Sequence, residues 1–135
     1  FNKGLAGAPA EEIAAARNTA TNPQVLEAFA LAICAAEGAP AFPGMPDGKP
    51  DLTVARWEAA GVNRSMDALL KVAPDAGSYV SESDYFERNW QRSFWGSNYT
   101  KLAAVKRKYD PDGLFFVHHG VGSEAWSADG FARVA

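Results

Sequence analysis

Six aromatic side chains, Tyr85, Phe86, Trp90, Phe94, Trp95 and Tyr99, fall within the fifteen residues from 85 to 99. That density of ring surface requires a packed body and argues against a disordered segment. The cluster runs directly into the clearest helix of the chain, Tyr99 to Tyr109, with Asn98 or Ser97 expected as its cap. Tyr99, Leu102, Val105 and Tyr109 lie within about a third of the helix circumference at 3.6 residues per turn. Lys101, Arg107 and Lys108 lie away from this stripe. Lys106 projects into it, between Tyr99 and Leu102, and a lysine on a packing face needs a partner.

Around that helix the pattern predicts strands. Ser78 to Ser83 alternates, with Tyr79, Ser81 and Ser83 on one face and Val80, Glu82 and Asp84 on the other. A short helix is expected over Tyr85 to Arg92. Asp110 to Gly113 has the composition of a turn, and Leu114 to Val117 reads as a short apolar strand. The Gly- and Ser-rich end offers Trp126 and Phe131 as anchors.

The first 76 residues are more helical in pattern. Phe1 to Leu5 reads as the end of a strand or loop. With Phe1 in first place and Met45 and Met66 internal, the chain is expected to have sequence upstream of it. A helix is expected from Pro9, fading near Asn18 to Thr21, with Glu11 and Glu12 at its positive end. Asn22 before Pro23 is a second start signal. Val25 to Ala36 carries one charge and no clean polar face. It reads as a buried helix, turning into a strand after Phe29 in one alternative, with Cys34 as a small buried hydrophobe. Gly38 to Pro50 is a loop, and a long helix should cover Leu52 to Val72, with Pro74 just beyond its end.

Composition narrows the function classes. A net charge of −3 gives no support for nucleic acid or an anionic membrane as partner, and no stretch approaches a membrane span. A single cysteine excludes an internal disulfide and a cysteine-based zinc cluster within the chain. His118 and His119 are adjacent; in an extended segment they would point to opposite sides and could not jointly hold a metal, so no metal site is expected. GVGSE around Ser123 fails the G-x-S-x-G elbow, and neither a P-loop nor a GxGxxG opening a helix is present. The residues alone thus describe a globular α+β domain with an aromatic, acidic segment at 79 to 99.

The runs GSYVSESDYFERNW and FWGSNYTKLAAVKRKYDPDGLFF resemble the C-terminal motif of berberine bridge enzyme-like oxidases, in the vanillyl-alcohol oxidase and p-cresol methylhydroxylase superfamily. The agreement lies at Tyr79, Asp84, Trp95, Gly96, Asn98, Tyr99, Leu102, Val105, Lys106, Asp110, Pro111 and Phe115. It covers residues 77 to 117, with HHGVGSEAWSADGF similar to a bacterial and fungal branch. Residues 1 to 76 agree only loosely.

The resemblance implies an α+β fold: residues 1–95 as the C-terminal part of an antiparallel-sheet substrate domain, and residues 96–135 as a helix and strand rejoining an FAD-binding domain. It implies FAD as cofactor and the N-terminal FAD-binding portion of the same protein as partner. It further implies a small-molecule alcohol or amine oxidised by hydride transfer, with O2 as acceptor. Asn98 and Tyr99 correspond to an Asn-aromatic pair near the flavin. Where similar oxidases often carry a tyrosine base, this chain has Glu82 after Ser81, which makes Glu82, with Tyr79, the catalytic candidates. A non-catalytic binding or assembly module that keeps the flavoprotein fold is the alternative.

Overall fold

The computed structural model describes residues 7–38, 41, 42, 44, 46 and 48–134; the strand end or loop expected at Phe1 to Leu5 lies outside them. The chain divides into two compact units, Phe1–Ala30 with Gly77–Ala135, and Leu31–Ala76.

In the first unit, α1 spans Ala10–Arg17, with Pro9 in extended backbone just before it, Glu11 and Glu12 in its first turn and Arg17 in its last. These charges complement the helix dipole. Asn22 then caps the 3-10 turn Pro23–Leu26, its side chain accepting from the Gln24 N–H at 3.1 Å. The same side chain is buried and its Nδ2 donates to Ser93 O at 2.9 Å, so one amide ties this turn to the end of the next helix. That helix, α3, is Trp90–Trp95, and α4 is Tyr99–Tyr109. Between them the chain bends at Gly96, where φ is +54° and a Cβ would lie 2.7 Å from Asn22 Oδ1. Only glycine meets both demands.

The core of this unit is small. Trp90 and Phe94 of α3 and Ala103 of α4 are buried. Trp90 packs edge-on against Tyr99 (5.5 Å between centroids) and Trp95 (6.0 Å). The covered face of α4 therefore runs through Tyr99, Leu102, Ala103 and Lys106, whereas Val105 and Tyr109, expected on the packing stripe, are exposed. Lys106 takes the place on the covered face because its ammonium is held by the Asp110 carboxylate and by Phe115 O at 2.6 Å. At the tail, Trp126 lies against Gly113, beneath the guanidinium of Arg133 at 5.2 Å, while Phe131 is 90% exposed and anchors nothing among the described residues.

In the second unit, α2 is Leu52–Val72, with the bounds its pattern predicts. Asp51 caps it, accepting from the Thr53 and Val54 N–H groups at 2.9 and 3.1 Å. No residue of α2 is buried, and Trp57 is 72% exposed.

The α+β expectation, with its antiparallel-sheet domain and rejoining strand, is overturned. The described residues form helices and turns, and their β pairing is the isolated bridge Trp126–Arg133. The reasons are local. At Ser78 to Ser83 the backbone turns on itself, with Glu82 N–H donating to Tyr79 O (3.1 Å) in the 3-10 turn Val80–Glu82. At 114–117 the Leu114 and Phe115 N–H groups donate to the Asp110 carboxylate at 2.8 and 3.1 Å, leaving them unavailable to a ladder. The helix expected at Tyr85 to Arg92 begins only at Trp90. Asp84 accepts from Phe86 N–H and Glu87 from Asn89 N–H, both at 2.9 Å, and such bonds compete with helical ones. Val25 to Ala36 is not a buried helix: beyond the Pro23–Leu26 turn the chain is irregular to residue 38, and Phe29 is 88% exposed. Cys34 is half-buried.

Candidate functional site

Asn98 and Tyr99 stand at the start of α4, fixed there by the 3-10 turn Gly96–Asn98. Asn98 makes no side-chain cap bond, because its backbone is already helical (φ −77°, ψ −14°), whereas a capping residue needs extended backbone. Its Nδ2 instead donates to Thr21 O at 2.9 Å and Arg17 O at 3.3 Å, binding α4 to the end of α1. What Asn98 can offer a ligand is its carbonyl oxygen.

Tyr99 is engaged at its hydroxyl. The phenol donates to Glu124 Oε2 at 2.6 Å and accepts from Gly122 N–H at 3.2 Å. Burial, then the bond to Glu124, pushes its ionisation above the ordinary phenol range. Tyr99 is thus held as a neutral phenol whose remaining surface is its ring, packed among Trp90 and Trp95.

Tyr79 and Glu82 lie apart in sequence, on the 78–83 turn, and both are exposed. The backbone bond from Glu82 N–H to Tyr79 O links them to each other, on a turn separate from the start of α4 that carries Asn98 and Tyr99.

A second cluster was not foreseen. The His118 and His119 rings stack at 3.8 Å instead of pointing to opposite sides. Alternation holds for extended backbone, and His119 has a left-handed φ of 55°. Tyr85 stacks on His118 at 4.0 Å and Trp90 on His119 at 5.4 Å, giving a column of four rings. Among the described residues no group of three His, Cys, Asp or Glu side chains could hold a metal ion. Glu124 and Gly122 were also missed as partners of Tyr99. A contact across 25 residues leaves no periodic trace in the sequence.

Residues 78–122 match the family model for berberine and berberine-like proteins, a stretch that holds Tyr79, Glu82, Asn98, Tyr99 and the histidine pair and ends just before Glu124. The resemblance read from the sequence is thereby borne out. Among curated relatives, the chain is similar to an uncharacterized FAD-linked oxidoreductase of Arthroderma benhamiae (52% identity over 48% of this chain and 11% of the relative). It is also similar to a VAO-type flavoprotein oxidase of Thermothelomyces thermophilus (40% identity over 65% of this chain and 15% of the relative). A third is an FAD-linked oxidoreductase of Aspergillus versicolor (52% identity over 51% of this chain and 11% of the relative). The matches thus span only 11–15% of these relatives' length. No solved structure matches the chain. No helix among the described residues is long and apolar enough to cross a membrane.

Proposed function

We propose that this chain is the C-terminal portion of an FAD-dependent oxidoreductase that oxidises an alcohol or amine by hydride transfer to the flavin, with O2 as acceptor. The observation that carries the reading is the berberine-like match over 78–122, the stretch that holds the aromatic cluster and Asn98 and Tyr99. The FAD-linked oxidoreductases and the flavoprotein oxidase among its relatives support it.

The donor set fits one wall of a flavin site and not a whole one. Asn98 has an acceptor oxygen to present, and Tyr99 a ring whose hydroxyl is committed to Glu124. The concavity lined by Lys106, Gly113, Phe116, Gly122 and Trp126 is far too small for a flavin. The rest of the cofactor site would come from an N-terminal FAD-binding portion. Its docking is supported by the exposed apolar side chains Tyr85, Phe86, Leu114, Phe115 and Val117 of the first unit. On this reading residues 1–95 belong to the substrate side and 96–135 complete the FAD-binding side.

When bound, FAD supplies the two-electron acceptor. The residues of this chain would orient and exclude water, with Glu82 taking the substrate hydroxyl proton at a carboxylate oxygen and Tyr79 beside it in the same turn. Anaerobic stopped-flow mixing of the intact flavoprotein with alcohol and amine substrates tests this directly. Glu82→Gln should slow flavin reduction by roughly 10²–10⁴-fold and leave FAD content unchanged. An unaltered reduction rate removes Glu82 from the chemistry; a flavin that no alcohol or amine reduces removes the substrate class.

A further inference from the structure

We propose that the stacked pair His118–His119 is an acid-sensitive latch. It holds the 84–87 turn against α3 while the pair carries at most one proton, and releases the turn when the second proton arrives. This inference rests on the ring column itself and stands whether or not the chain serves a flavin.

The column links the Tyr85 ring to Trp90 of α3 through the two imidazoles, beside the bond from Asn89 N–H to the Glu87 carboxylate. On one side, His118 stacks on the Tyr85 ring at 4.0 Å with planes 11° apart, and its Nε2 lies 2.9 Å from Tyr85 O. A carbonyl cannot donate, so Nε2 carries the hydrogen in this arrangement. His118 can therefore become an imidazolium at Nδ1 with its bond to Tyr85 intact. On the other side, His119 stacks on the buried Trp90 of α3, with planes 10° apart. A second proton would place two like charges in rings 3.8 Å apart. The stack cannot hold that state, so His119 takes its proton by leaving.

The left-handed φ of His119 (55°) belongs to the turn that Gly120 N–H closes onto Val117 O at 2.8 Å. A further feature fits a latch. The charged groups facing His119 come from the 84–87 turn and from its neighbour. Burial and then His118 hold its ionisation below the ordinary imidazole range, while Glu87 and Asp84 pull weakly the other way. The α3 surfaces it meets are the Trp90 and Phe94 rings, which carry no charge. Folding thus lowers the His119 value. The native arrangement gains stability above the ordinary imidazole value and loses it as pH falls through the lower folded value. The released turn carries Tyr85 and Phe86, both exposed, so opening would alter an apolar surface of this unit.

NMR titration of the intact protein tests the latch, following the imidazole signals that vanish in His118→Gln and His119→Gln and the indole N–H signal that vanishes in Trp90→Phe. The expected result is two protonation steps, with the Trp90 signal moving only on the second. His118→Phe, which keeps a stacked ring without charge, should raise the His119 midpoint. Two independent titrations that ignore substitution of the partner would overturn the proposal. So would a Trp90 signal that stays fixed while both rings are protonated, a result readable in the unsubstituted protein even if a variant does not fold.

Discussion

The phenol of Tyr99 donates to the Glu124 carboxylate across 2.6 Å, joining the first turn of α4 to the tail of the chain. The Gly122 N–H bonds the same oxygen, so the tail is fastened at two points to one side chain. Tyr99→Phe should cost about 0.5–1.5 kcal/mol, the scale of a lost hydrogen bond, and Glu124→Gln less, because an amide oxygen still accepts. The ionisation supplies a sharper check. Since folding raises the Tyr99 value, its contribution is fully present below the unfolded value of 10.0 and is lost as pH rises through the higher folded value. A spectrophotometric alkaline titration should show a late tyrosinate fraction that disappears in Tyr99→Phe.

Lys106 and Asp110 form the second tie. The Lys106 ammonium, then the Phe115 and Leu114 N–H groups, hold the Asp110 carboxyl below its ordinary range against the opposing effect of desolvation. A lowered carboxylate value stabilises the fold above the unfolded value of 3.8, and the contribution is lost as pH falls through the lower folded value. Lys106→Met keeps the stem's packing and removes the charge. It should lower the melting temperature at neutral pH, with the difference from the parent shrinking as pH falls below 3.8. A pH-independent difference would assign the effect to packing alone.

Asn22 is the keystone of the turn that meets α3. Asn22→Ala removes the cap on Gln24 and the bond to Ser93 O, and should destabilise by roughly 1–3 kcal/mol in denaturant unfolding. Gly96→Ala meets the same residue from the other side. The left-handed backbone alone costs about 1–2 kcal/mol, before the contact with Asn22 Oδ1. Because the two sites touch, the double variant should cost less than the sum, and strict additivity would contradict the shared contact.

Those ties explain how far the sequence could be read. Elements whose signals are local were legible: α2 and α4 have the expected bounds, and Asn22 caps as Asn-Pro suggests. The need of Lys106 for a partner was legible too, since a charge on an apolar stripe is a local anomaly. What failed depended on partners far along the chain. Alternation at Ser78 to Ser83 predicts a strand only if a second strand is there to receive it, and Ser78 N–H instead meets Ser93 O at 2.7 Å. Val25 to Ala36 carries the composition of a buried helix, yet Phe29, Leu31 and Ile33 are exposed. Of the site, the placement of Asn98 and Tyr99 together at the start of α4 could be read. The Glu124 bond and the histidine column, which need the tail folded back, could not.

Whether this chain works beside a flavin, as proposed, is decided by the visible absorption spectrum of the intact purified protein. The expected result is the two visible bands of oxidised flavin, with FAD recovered from the protein and the bands bleached by substrate under anaerobic conditions. A folded, intact protein that is colourless and stays colourless after incubation with FAD would contradict it, and would leave the berberine-like segment as a binding module without redox chemistry.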